Sequence, residues 1–306
     1  MRASVLLVVL PFLACAATAS NDDGDDRTAA PGALPVNGGG ASGSSNTPLV
    51  RDAGIHPPAD PDVDLETIAT SWNGKARSYL LARPRDYDPN RRYPLVMMFH
   101  GNPSTKETLR KQAPFELGSR RDAVLVYPDA AGGGWDLFAP PATNKDMDWI
   151  RALPQEIAER VSVDLERVYG FGFSGGGFFV SQMACLFGDF FRAISVNAGG
   201  APDGKEAGLE RKSNQCYVCP GGPVPTLFAH GNNDGRVPKT SAAFAAKCAA
   251  ESNRCTTNEV KVPTTESCTR ADACAAPVEL CIIPNLGHDP WRETFTKSWA
   301  FFQSAP

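Results

Sequence analysis

The chain has 306 residues, with 30 lysines and arginines against 34 aspartates and glutamates and a formal net charge of −4. At 42% hydrophobic and 21% charged residues it can build a core, which excludes global disorder. The mild acidity, with no run of Lys and Arg, leaves no electrostatic footprint for nucleic acid. Its glycines and prolines follow no period, which excludes collagen-like and solenoid architectures.

Residues 1–19 read as an export signal. Arg2 supplies the positive charge, Val5–Leu13 is an apolar stretch too short to span a bilayer, and Ala17-Thr18-Ala19 is a small-residue cleavage site. Phe12-Leu13-Ala14-Cys15 also resembles a lipobox, so a lipid anchor at Cys15 stands beside simple cleavage. Residues 20–63 are rich in Gly, Ser, Pro and Asp, and no aromatic residue occurs between Phe12 and Trp72. Such a segment cannot bury enough apolar surface to offset its chain entropy, and it is expected to be a disordered linker. No later apolar run is long enough for a transmembrane helix.

Residues 64–306 are expected to form one α/β domain. Thr67–Ser71 and Ala76–Ala82 predict a hairpin turned at Asn73-Gly74. Tyr93–Phe99 and Ala123–Tyr127 are continuous apolar runs, as strands buried on both faces require. Over Asp148–Val161 the apolar residues Ile150, Leu153, Ile157 and Val161 recur at helical spacing. Arg167–Phe173 reads as a strand, Phe178–Phe187 as an apolar helix. Phe191–Val196, Pro225–Ala229 and Val278–Ile283 predict further strands, and Ser241–Ala250 and Glu293–Phe302 further helices. This alternation predicts a mostly parallel sheet with helices on both faces, without a separate lid domain.

Between a strand and a helix stands Gly172-Phe173-Ser174-Gly175-Gly176, which fits G-x-S-x-G. That pattern is a tight strand-to-helix turn in which a Cβ beside the serine would collide with backbone, so Ser174 is pushed out at the sheet edge as a nucleophile. A serine hydroxyl needs a base. Of the four histidines, His56 lies in the linker, while His100 and His230 each end an apolar strand and suit loop-shaping. His288 alone lies in a late loop after the last strand, as the order Ser…acid…His demands. The acid is assigned to Asp234, just after the Pro225–Ala229 strand, with Asp203 and Asp289 as rivals. An oxyanion hole needs two backbone donors. Gly175 N–H is one; Asn102 is the other, ahead of Gly101, because Pro103 has no N–H to offer.

These residues carry a resemblance. Phe99-His100-Gly101, Tyr127-Pro128-Asp129, Gly172–Gly176, Met183-Ala184-Cys185, His230-Gly231…Asp234…Val237-Pro238 and Gly287-His288 follow the order seen in polyhydroxybutyrate depolymerases and feruloyl esterases. The chain resembles this carbohydrate esterase family 1-like group of α/β-hydrolases over about residues 75–303. The resemblance implies a secreted serine esterase without metal or cofactor, the triad Ser174, Asp234 and His288, and a bridge between Cys255 and Cys274. Leu286 interrupts the glycine run usual before the histidine, and Asp289-Pro290-Trp291 replaces the usual Trp-Pro pair. The group's substrates suggest polymer-linked esters, either polyhydroxyalkanoate or the feruloyl and acetyl esters of plant xylan. A serine peptidase of the same fold and an inactive polymer-binding module remain as alternatives.

Beyond Cys15 the cysteines are Cys185, Cys216, Cys219, Cys248, Cys255, Cys268, Cys274 and Cys281. An even set in an exported chain reads as disulfides, and about 105 pairings are open. Cys216-x-x-Cys219 lacks the second pair that a zinc ribbon needs. Trp135, after Gly132-Gly133-Gly134, and Trp291 are candidates to line a substrate pocket, with packing beneath their loops as the equal alternative. Asp146 and Asp148 are read as acids favoured by a helix N-terminus.

Overall fold

Seven consecutive apolar residues, Tyr93–Phe99, can be buried only if both faces of their strand are covered. A computed structural model satisfies that demand: all seven are buried, with Leu95, Met97 and Phe99 in one apolar layer and Val96 and Met98 in the other. The structure describes residues 63–202, 209–257 and 268–306. These all fall within one unit, Asp52–Pro306. The export signal 1–19, Cys15, the linker 20–63 apart from its last residue, His56 and Asp203 lie outside the described residues.

The strands are β1 (Val63–Trp72), β2 (Lys75–Pro84), β3 (Tyr93–Phe99), β4 (Val124–Pro128), β5 (Val163–Phe173), β6 (Ala193–Asn197), β7 (Thr226–Gly231), β8 (Cys268–Arg270) and β9 (Val278–Ile283). They make one sheet in the order β1-β2-β4-β3-β5-β6-β7-β9-β8. The six strands from β4 to β9 in that order are parallel, while β1, β2 and β8 pair antiparallel at the flanks. This is the α/β-hydrolase arrangement that the sequence predicts. The β1–β2 hairpin turns at Asn73 and Gly74, both at positive φ (48° and 73°).

The helices are α1 (Lys106–Gln112), α2 (Glu116–Ser119), α3 (Met147–Ala158), α4 (Gly175–Leu186), α5 (Lys239–Ser252) and α6 (Thr294–Ser304). Apolar residues of α3, α4 and α5 join the layer of Leu95 and Phe99. Those of α1 and α6 join the opposite layer, where Phe302 stacks on Tyr169 and Phe115. Helices α1 and α2 and strand β8 escape a periodicity reading, because each is too short to show a period.

The β6–β7 crossover, residues 198–225, contains no helix among its described residues. Bridges from Cys185 in α4 to Cys219 and from Cys216 to Cys248 in α5 tie it to the flanking helices. Cys255–Cys274 and Cys268–Cys281 complete four disulfides, so the two cysteines of Cys216-x-x-Cys219 serve different bridges. A bridge stabilises mainly by restricting the unfolded chain. Replacing Cys216 and Cys248 together with serine, which removes a bridge of sequence separation 32, is expected to lower the unfolding free energy by about 3–4 kcal/mol in a urea titration.

Candidate active site

The parallel strands end nearly level. Phe99 pairs with Gly172, Phe173 with Asn197, Asn197 with Ala229, and Gly231 with Ile283. Loops leaving these ends therefore emerge side by side, and they carry His100–Asn102, Ser174, Asp234 and His288. In an open α/β sheet the carboxyl ends of the strands are where ligands bind.

Ser174 sits at the sharp turn between β5 and α4, with φ 54° and ψ −120°. A non-glycine residue in that region is strained and persists only where its neighbours over-determine it. Here the constraints are visible. Ser174 N–H donates to Asn197 O at 2.9 Å, and a Cβ on Gly172 or Gly176 would strike backbone of Gly176 or Phe99. Ser174 Oγ–H donates to His288 Nε2 at 2.9 Å, and His288 Nδ1–H donates to Asp234 Oδ2 at 2.8 Å. Asp289, the rival acid, is exposed.

The Asp234 side chain is shut off from solvent, which taken alone would raise its pKa. Donation from Val237 N–H, His288 and Arg236 N–H overrides the burial and holds the carboxyl below the ordinary range. His230 is a fourth neighbour. Its Nε2 lies 2.8 Å from Val237 O and 3.3 Å from Asp234 Oδ2, and burial lowers its pKa, which keeps the ring neutral. The sequence marks His230 only as the end of a strand. Its proximity to Asp234 was encoded in the four-residue spacing of the turn, a weak signal.

The His288 loop is tied to the Asp234 loop through backbone. Asn232 N–H donates to Ile283 O at 2.8 Å and Asn233 N–H to Leu286 O at 2.9 Å. A Cβ at Gly231 would collide with Leu286 O and Gly287 O, so only glycine permits this approach. Leu286, which breaks the expected glycine run, packs its side chain on the α6-side layer.

On the other side of Ser174, a Cβ at Gly101 would lie 3.4 Å from Ser174 Cβ. Asn102 follows, and its side-chain amide exchanges two hydrogen bonds with the Trp135 backbone, at 3.0 and 2.9 Å. Gly175 opens α4, so its N–H has no partner within the helix. His100 shapes this loop: Nδ1–H donates to Gly101 O at 2.7 Å, and Nε2 accepts Ala130 N–H at 3.1 Å. Burial lowers the His100 pKa, consistent with a neutral ring in that pairing.

Trp135 departs from the candidate pocket-lining role. It is 3% exposed, stacks on Phe179 with ring centroids 4.6 Å apart, and its Nε1–H donates to His100 O. Its ring is a core element beneath the loop, because a large apolar ring with one donor is best satisfied by packing plus a carbonyl. Trp291 is half-buried against the α6-side layer. Asp146 stands at the N-cap of α3, the helix-terminal place expected of it, but its carboxylate is committed elsewhere. It is fully buried and makes no side-chain cap. Instead it pairs with Arg77 at 3.1 Å and accepts Ala131 N–H and Asp136 N–H, which pins the loop that carries Trp135.

No family model matches the sequence. It is 28% identical over 247 residues to "Probable feruloyl esterase C" of Aspergillus clavatus, covering 75% of this chain and 84% of that one. It is 30% identical over 231 residues to "Probable feruloyl esterase C" of Aspergillus terreus, covering 71% of this chain and 78% of that one. Among solved structures, an acetyl xylan esterase from Aspergillus awamori superposes with a TM-score of 0.62 at 14% identity, over 78% of this chain and 99% of that chain; this likeness concerns the fold.

Two outcomes are expected. A Cβ at Gly175 would sit 2.5 Å from Asn102 Cγ, so Gly175→Ala displaces Asn102 and is expected to lower kcat by about 100-fold or more on any ester substrate. Asp234, with its pKa depressed in the folded state, contributes stability that is complete above its unfolded value near 4 and is lost as pH falls through the folded one. Asp234→Asn is therefore expected to flatten the decline of thermal stability on the acid side of about pH 4, measured by melting curves at stepped pH.

Proposed function

Given that the chain belongs to the feruloyl esterase C family of α/β-hydrolases and is a carboxylic ester hydrolase, we propose that it cleaves feruloyl esters of plant polysaccharides through Ser174, His288 and Asp234. The observation that carries this reading is the unbroken hydrogen-bonded line from Ser174 Oγ through His288 to the buried Asp234 carboxylate. Ser174 Oγ attacks the ester carbonyl while His288 Nε2 takes its proton. The tetrahedral oxyanion is held by the N–H groups of Gly175 and Asn102. His288 returns the proton to the departing sugar oxygen, which leaves as the alcohol, and the feruloyl group stays esterified to Ser174 Oγ. Water, deprotonated by His288, then attacks the acyl carbonyl, and His288 passes that proton to Ser174 Oγ as ferulic acid leaves. Asp234 keeps the His288 proton on Nδ1 and steadies the imidazolium in both halves.

Export fits this substrate, since a polysaccharide is met outside the cell. It is supported by Arg2, Val5–Leu13 and Ala17-Thr18-Ala19 and by the four disulfides, which form in an oxidising compartment. We take residues 64–306 as the catalytic domain and 20–63 as the tether that carries it, with Cys15 as the point of attachment if the anchor is used.

The test is hydrolysis of methyl ferulate and feruloylated arabinoxylan, set beside acetylated xylan, polyhydroxybutyrate and a feruloyl amide. Methyl ferulate and feruloylated arabinoxylan are expected to turn over best, and Ser174→Ala is expected to lose roughly 1,000-fold or more in kcat. Preference for polyhydroxybutyrate or for the amide would replace the substrate assignment; equal activity of Ser174→Ala would remove the nucleophile.

A further inference from the structure

Strand β6 carries an anomaly on the face it turns to α6. Alternation places Ala193, Ser195 and Asn197 on one side of the strand and Ile194 and Val196 on the other. The second pair belongs to the apolar layer of α4 and α5. Ser195 and Asn197 are polar groups in the interior, exposed by 0% and 2%. Two apolar residues would fill that space without hydrogen-bond demands, so the polar pair calls for a reason beyond packing.

Its partners supply one. Asn197 Nδ2–H donates to Ser195 Oγ at 3.0 Å, and Ser195 Oγ lies 2.8 Å from Ser298 Oγ in α6. Asn197 Oδ1 accepts the Thr294 hydroxyl at the first residue of α6. Thr294 and Ser298 are fully buried as well. The main chain of the same asparagine, through its C=O, accepts Ser174 N–H. Asn197 therefore grips the nucleophile's backbone with one group and the start of α6 with another. Thr294 N–H in turn donates to Trp291 O at 2.9 Å, closing the turn that leads out of the His288 loop. The next residue, Ala198, holds a left-handed backbone (φ 47°) like Ser174, so both strand ends at this seam are strained and need external constraint.

We propose that Asn197 is a positioning residue: with Thr294, Ser195 and Ser298 it forms a buried clamp that fixes the Ser174 turn against the segment carrying His288 and so sets the Oγ-to-Nε2 geometry. The proposal rests on the triad reading above. Loss of the clamp leaves every reacting group present and slackens their alignment. A misplacement of about 1 Å can cost on the order of 100-fold in rate.

The experiment uses the whole enzyme with methyl ferulate as substrate and a phenyl-bearing organophosphonate as a probe of Ser174. Measurements are made well below the melting temperature of each variant. Thr294→Val keeps the shape and removes the donor; Thr294→Ser keeps the hydroxyl. Thr294→Val is expected to lower kcat and the organophosphonate inactivation rate by the same factor, about tenfold or more, with KM within twofold. Thr294→Ser is expected to recover most of both rates. Rates within twofold of the parent for Thr294→Val overturn the clamp, as does a Thr294→Ser enzyme as slow as Thr294→Val. Should Thr294→Val fail to fold, Ser298→Ala serves, with a loss of about threefold supporting the clamp and an unchanged kcat overturning it. Failure of the triad reading has a different signature: a parent enzyme that turns over methyl ferulate without labelling at Ser174.

Discussion

A carboxylate stripped of water is tolerable only if its oxygens find other donors, and the organisation of this protein's carboxyl edge follows from that demand at Asp234. Its two oxygens collect Arg236 N–H, Val237 N–H, the His288 imidazole and the nearby His230. Two of these donors close the loop after β7 upon itself. The third reaches across to the loop after β9. The charge thus joins segments that are distant in sequence, and the backbone bonds from Asn232 and Asn233 to Ile283 and Leu286 lock the same pair of loops from below. Gly231 is the condition for this closeness, since any side chain there would hold the loops apart.

A second set of constraints works from the opposite flank. His100, Trp135, Asn102 and Asp146 form a frame: His100 and Asn102 bond across from the loop after β3 to Ala130 and Trp135 in the loop after β4, and Asp146 ties Ala131 and Asp136 of that second loop in place. Ser174 lies between the two flanks, with Gly175 against Asn102 on one side and His288 on the other. The strand ends supply coarse placement and the buried polar groups supply the fine placement. That division suits a catalyst, where a level sheet edge brings loops within reach but cannot by itself align a proton donor with its acceptor.

The parts that sequence reasoning reached are those with a local signature. Tyr93–Phe99 announces a central strand by being apolar throughout, and Gly172–Gly176 announces its turn because a tight bend needs glycine. The alternation of strands and helices then orders the sheet. The role of Trp135 is open in the sequence because an aromatic residue beside a glycine run looks the same whether it faces a cleft or the core; only its stacking on Phe179 decides. Asp146 is legible as a helix-terminal acid, but its pairing with Arg77, 69 residues away, leaves no local signal. The pairings of the eight cysteines depend on which helices flank the crossover, and that is a property of the fold rather than of the spacing. Asn197 and Ser195 carry no pattern at all: they matter through α6, a hundred residues on.

The Cys185–Cys219 bridge also governs what a break in the chain would do to the site. Ser174 lies before the β6–β7 crossover, whereas Asp234 and His288 lie after it. Surface connections of this kind are where chains are most readily nicked. A cut between the end of β6 and Cys219 would separate the nucleophile from its base and acid in the covalent chain, yet the bridge would still join the two pieces. The pieces also remain neighbours in the sheet through the pairing of β6 with β7. The crossover can thus be severed without the halves parting, and integrity of the site there depends on a sulfur–sulfur bond as much as on an unbroken backbone.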